Sequence, residues 1–271
     1  MRTFTHDSGE GAWTMHMAQP ATPLLGCVLS YHDYTERVRW SAPRIEYAAA
    51  LVPLIINLGP PFRLSDMQAT PGVLHSSFAA GIFDGPVVSE STGPSRCIQV
   101  NLTPLGASRL LGLPLGSIVR TVVPLEDIMA GLASELAERL EESPTPEKRF
   151  ALLDRTLGAM LAKSPESGAE MQWTWDQLEA SGGQRDIGGI AEELGWSRKR
   201  LIRSFNEWIG VPPKTIARMI RFQRLQSLLR REPGTTWSQA AVRSGYFDQS
   251  HLIRDCRQFT GVTPKVWKEL L

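Results

Sequence analysis

From residue 21 to about 102 the apolar runs are short and are broken by glycine and proline. GCVLSY, VPLIINL, VLHSSFAAGIF, PVVSE and CIQVNL have the length and composition of strands, and GPP, DGP and TGP supply turns between them. Residues 1–20 show no sustained period and read as a flexible tail. Beyond 102 the period lengthens. LTPLGASRLLGL (102–113) gathers its leucines on one side. PLEDIMAGLASELAERLEE (124–142) places Ile128, Leu132, Leu136 and Leu140 at i+4 steps, which predicts one continuous amphipathic helix. EKRFALLDRTLGAMLAK (147–163) predicts another. The pattern divides the chain into a β-rich unit with trailing helices (21–165), a linker and lead-in helix (166–181), and a helical unit (182–271). The fold class expected is α+β.

The helical unit repeats itself. LIRSFNEWIGVPPK begins at Leu201, and LIRDCRQFTGVTPK begins at Leu252. Ala191 and Gly195 match Ala241 and Gly245 at an offset of fifty, whereas Leu201 matches Leu252 at fifty-one, so one residue is inserted in the second turn. Each unit reads as a short helix, a glycine turn, a polar-capped helix, a glycine stop and a proline start, which is a helix-turn-helix layout. Asp186, Ser197, Thr236 and Asp248 are placed to cap. Leu201, Phe205 and Trp208 in one helix, and Leu252, Cys256 and Phe259 in the other, are expected to face inward. The helix between the units, about 18 residues, would span roughly 27 Å, which suits two reading helices in successive major grooves.

Charge sharpens this picture. Residues 1–181 hold 13 Lys+Arg against 20 Asp+Glu, while residues 182–271 hold 16 against 8. An acidic part joined to a basic one points to a nucleic-acid-binding module attached to something else. The outward positions of the second helix of each unit carry the matching chemistry: Arg198, Lys199, Ile202 and Arg203 in the first, Gln249, Ser250, His251, Ile253 and Arg254 in the second. Arginine pairs with guanine edges, glutamine with adenine, and isoleucine touches thymine methyls. Arg218, Arg221 and Arg224 on the connecting helix read as a solvated face with phosphate within reach.

The runs IAEELGWSRKRLIRSFNEWIGVPPK, RFQRLQSLL and AAVRSGYFDQSHLIRDCRQFTGVTPKVW closely resemble the DNA-binding domain of the AraC/XylS family over about 90 residues. The resemblance implies DNA-binding roles for Arg198, Lys199, Ile202, Arg203, Gln249, Ser250, His251 and Arg254. Cys256 stands where the family usually has Phe, and Leu225 where it often has Ala. VPLIINLGPPFRL and LTPLGASRLLGLPLGSI followed by VVPLEDI resemble the N-terminal half of one subgroup. This implies a cupin-like β-barrel that senses a ligand or mediates dimer contacts.

Other chemistries find little footing. Cys27, Cys97 and Cys256 are far apart and odd in number, with neither a disulfide nor a zinc spacing, which fits a reducing, cytoplasmic setting. His6, His16, His32 and His75 are isolated, so no metal and no other cofactor is expected. Trp40 and Arg63 are offered by residue type alone as pocket residues. The chain is therefore expected to be a regulator and not an enzyme. It would bind double-stranded promoter DNA and act with RNA polymerase, with a small-molecule effector or a homodimer as the control and no membrane partner. The resemblance favours an activator over a repressor. The rival readings are an enzyme with a DNA-targeting module and a pure protein-interaction adaptor.

Overall fold

The computed structural model describes residues 1–7, 11–38, 43–66, 72–164 and 168–271. Among the described residues eleven strands form: β1 Arg2–Asp7, β2 Gly11–Ala18, β3 Val28–Val38, β4 Arg44–Glu46, β5 Val52–Asn57, β6 Phe62–Asp66, β7 Val73–His75, β8 Phe78–Ala80, β9 Val87–Ser91, β10 Ser95–Leu102 and, beyond the first helix, β11 Val122–Pro124. They form a seven-stranded sheet in the order β1-β2-β3-β10-β5-β8-β11 and a four-stranded sheet in the order β4-β9-β6-β7. All pairings are antiparallel. Two sheets of short antiparallel strands facing one another form the jelly-roll layout of cupins.

Strand β10 shows why the sheets separate two environments. Ile98, Val100 and Leu102 are fully buried on the face that packs against helices. Their alternates Cys97, Gln99 and Asn101 face the space between the sheets. β3 obeys the same alternation. Tyr31 and Asp33 point to the helices, where the Tyr31 hydroxyl donates to Asp154 at 2.9 Å and Arg149 meets Asp33 at 2.6 Å. His32 and Tyr34 point the other way.

The hairpin β1–β2 corrects the expected flexible tail. Thr3 pairs with His16, His6 with Trp13, and β2 continues onto β3. The strand pattern was hidden because β1 is exposed throughout, so no apolar alternation marks it. His6 stacks on Trp13 at 5.9 Å instead. The helices then follow: α1 Pro104–Leu111, α2 Leu125–Met129, α3 Leu132–Glu142, α4 Pro146–Lys163, α5 Ala169–Ala180, α6 Ile187–Glu193, α7 Arg198–Ile209, α8 Pro213–Arg231, α9 Trp237–Arg243, α10 Gln249–Thr260 and α11 Pro264–Glu269. The single helix expected over 124–142 is two, because Gly131 adopts a left-handed φ of 69° between α2 and α3. Leu136 and Leu140 are buried as expected, while Ile128 and Leu132 are only half-buried.

Candidate nucleic-acid interface

Helices α6 and α7 form one helix-turn-helix unit, and α9 and α10 the other. Asp186 caps α6 through the Gly189 amide, and Ser197 caps α7 through Arg200. Thr236 and Gln239 form a reciprocal capping box on α9, and Asp248 caps α10 through the His251 amide at 2.7 Å. Gly195 (φ 65°) and Gly245 (φ 81°) make the turns. Gly210 and Gly261 end the two longer helices in the left-handed conformation. Leu201 and Phe205 are fully buried, and Ile209 completes that row, leaving Trp208 half-buried. In the second unit Leu252, Cys256 and Phe259 are all fully buried.

The residues expected to read DNA lie on α7 and α10. Arg198, Lys199, Arg203, Gln249, Ser250, His251 and Arg254 are exposed, and Ile202 is half-buried. Among the described residues neither Arg203 nor Arg254 enters an ion pair. Gln249 is already oriented, its Oε1 accepting from the Ser238 hydroxyl at 3.3 Å. Arg200 turns back over the Trp196 ring at 4.0 Å, whereas Arg198 and Lys199 are exposed and, among the described residues, enter no ion pair.

The connecting helix α8 does more than set a distance. Two of the three arginines singled out on it, Arg218, Arg221 and Arg224, leave the solvated face expected of them. Arg218 bonds Asp255 and Gln258 on α10 and lies over the Phe259 ring. Arg221 donates to the Gly183 carbonyl and lies over Tyr246. Arg224 remains exposed. Asp255, buried at 1% exposure, was not singled out in the sequence. Its signal was available: an acid in a basic helix, where the first unit has Ser204.

The β-rich domain holds both reading helices at their C-terminal ends. A methyl group on Gly116 would sit 2.9 Å from the carbonyl oxygens of Asn206 and Glu207 on α7, and Gly210 lies against Leu115 and Val119. On α10, the Phe259 carbonyl accepts from the Ala48 amide at 3.2 Å, and Gln258 donates to the Asp84 carbonyl at 3.2 Å. The Asp84 carboxylate in turn accepts from Arg120 at 2.6 Å, joining the two gripping segments. Tyr47 meets Trp267 of α11 edge-on at 6.4 Å.

A cavity of about 530 Å³ opens between the sheets. Phe62, Phe78 and Phe83 line an apolar part, and the Glu36–Arg44 ion pair with Glu46 lines a charged part. Arg44 lies over the Tyr34 ring at 5.2 Å, and burial pushes the Tyr34 hydroxyl up to about 12. Tyr47, Ala48, Phe83 and Gly85 also line it, so its wall carries the segments that touch α10 and α11. Of the two pocket residues offered from sequence, Arg63 turns to the Gly72 carbonyl and is not in the wall, and Trp40 lies outside the described residues.

The three cysteines are free and buried. Burial pushes the Cys97 thiol up to about 12 and Cys256 up to about 11, and it raises Cys27 despite Arg109 nearby. Such thiols are poor nucleophiles. Among the described residues no group of His, Cys, Asp or Glu is placed to hold a metal. Likewise, no helix among them is long and apolar enough to cross a membrane.

Two capped helices with exposed cationic and amide side chains, joined by a third, define a tandem helix-turn-helix DNA-binding protein. Residues 190–269 match the family model of the helix-turn-helix domain. The HTH-type transcriptional regulator YbfI of Bacillus subtilis, itself uncharacterized, is 31% identical over 93 residues. That match spans 34% of this chain and 33% of the relative's length. Among solved structures, a ToxT variant in the apo form from Vibrio cholerae superposes with a TM-score of 0.52 at 14% identity, covering 94% of this chain and 100% of that one. Wild-type ToxT bound to an unsaturated fatty acid gives the same TM-score and identity, covering 94% and 98%. The likeness to ToxT is one of fold, and it extends over both domains. Residues 190–269 therefore carry a helix-turn-helix domain, and over that part the chain is similar to a transcription regulator.

Proposed function

We propose that the chain is a sequence-specific, DNA-binding transcription activator whose N-terminal barrel takes a small-molecule effector. The observation that carries the DNA-binding reading is the matched pair α7 and α10, each capped and each presenting exposed base-reading chemistry at its N-terminal end. Arg198, Lys199, Ile202 and Arg203 read or grip one major groove, and Gln249, Ser250, His251 and Arg254 the next. RNA polymerase is the protein partner at the promoter.

The effector reading is supported by the cavity and by its wall. Tyr47, Ala48, Phe83 and Gly85 line the cavity; Tyr47 and Ala48 touch α11 and α10, and Asp84, between Phe83 and Gly85, touches α10. A ligand with different affinities for two wall positions shifts the reading helices by that difference. ToxT, of the same fold, has been crystallised with an unsaturated fatty acid. The test is selection of sites from random DNA by the full chain, followed by affinity measurement against salt. Site-selective binding with a steep fall in affinity as salt rises is the expected result. Weak binding that is indifferent to both sequence and salt would remove the proposal.

A further inference from the structure

The two units differ in one structural respect. The turn glycines Gly195 and Gly245 lie fifty residues apart, but the caps Ser197 and Asp248 lie fifty-one apart. The first turn runs Gly195-Trp196-Ser197, and the second runs Gly245-Tyr246-Phe247-Asp248. Tyr246 is buried at 6% exposure with Arg221 over its ring, so it fills the place of Trp196. The inserted residue is Phe247. It is 91% exposed, the most exposed large hydrophobic side chain of the described residues.

An insertion that only lengthened a turn would be expected to be polar or glycine. A phenylalanine in water forgoes the favourable transfer of its ring. Its position says what could supply that transfer. Phe247 directly precedes the cap of α10, whose first turn presents Gln249, Ser250 and His251 to solvent. The N-terminal end of a reading helix is the part that approaches base edges, and an apolar side chain there meets the 5-methyl of thymine. The neighbouring Asp248 carboxylate is turned onto the His251 amide, so it is engaged by the helix.

We infer that Phe247 is a specificity-determining residue that packs on a thymine 5-methyl at the edge of the second half-site. The inference rests on the DNA-binding reading above. The first unit has no counterpart, so the two half-sites are read by different chemistry: the first turn of α7 offers Arg198 and Lys199, whereas that of α10 offers Gln249, Ser250 and His251 together with an aromatic ring.

The test uses the full chain and the site it selects from random DNA. Each thymine of the second half-site is replaced in turn by deoxyuridine, which removes only the methyl. One replacement is expected to weaken wild-type binding about fourfold, the ratio that burial of one such group supplies. Phe247→Ala is expected to lose that affinity and to become indifferent to that replacement, and Phe247→Leu to retain part of both. Because the side chain is exposed, thermal melting of both variants should match wild type. Wild-type affinity of Phe247→Ala for every site would overturn the inference and assign the ring to a protein partner. Reduced affinity with undiminished sensitivity to the same deoxyuridine would overturn it too. If the wild-type chain selects no site, the DNA-binding reading itself has failed, a result separable from either of these.

Discussion

Arg218 on the connecting helix gives two hydrogen bonds, at 2.7 and 2.9 Å, to one carboxylate oxygen of Asp255 on the second reading helix. Arg218 keeps a little exposure and Asp255 almost none. Removing one member leaves the other desolvated without its counter-charge, which costs about 3 kcal/mol or more. Asp255→Asn and Arg218→Met are therefore each expected to lower the urea midpoint clearly. The double replacement Arg218→Met with Asp255→Leu should recover most of the loss. A double variant no more stable than the single ones would deny the coupling.

Arg203 and Arg254 occupy matched outward positions and are unpaired among the described residues. Each is expected to lose about 1–3 kcal/mol of binding to the selected site on replacement by Ala, with relaxed sequence preference at one base pair. Lys199→Ala is expected to weaken all sequences alike and to reduce the salt slope by about one. Competition binding against single-base variants separates the two behaviours.

Gly116 lies where a side chain would strike the backbone of α7. Gly116→Val is expected to force the β-rich domain away from Asn206 and Glu207, at a cost of about 1–3 kcal/mol from overpacking. Hydrogen exchange should show faster exchange of the amides at the end of α7, with the Arg198–Arg203 turn unchanged. Unaltered protection throughout would mean that the contact is slack.

His32 lies in the cavity wall with Ser30 and Asn101 as its neighbours, and burial holds its imidazole below the ordinary value of 6.5. The half-buried His75 is shifted the same way. The unfolded chain then binds more protons than the folded one as acid is added. Stability is fully present above about pH 6.5 and is lost as pH falls through the depressed folded value. His32→Asn is expected to flatten part of that decline between pH 7 and 5 in thermal melts. A decline identical to wild type would exclude His32 as a source.

Much of this was legible in the chain itself. The tandem units were visible because their folding positions are written twice, and glycine, proline and the capping side chains each have one conformational use there. The β-rich half was legible where strands bury one face, as in β5 and β10. It was not legible in β1, whose exposed side chains carry no alternation, nor at Gly131, where one backbone angle overrides a run of well-spaced leucines. Arg218 and Arg221 read as solvated because their partners, Asp255 and the Gly183 carbonyl, lie about 37 residues away along the chain and are brought near only by packing. The lining of the cavity was not legible, since its wall draws on strands from both sheets.

The Asp84–Arg120 pair ties the segment on one reading helix to the segment on the other. It makes the barrel a caliper. Helices α7 and α10 are then tied to each other through the β-rich domain as well as through α8.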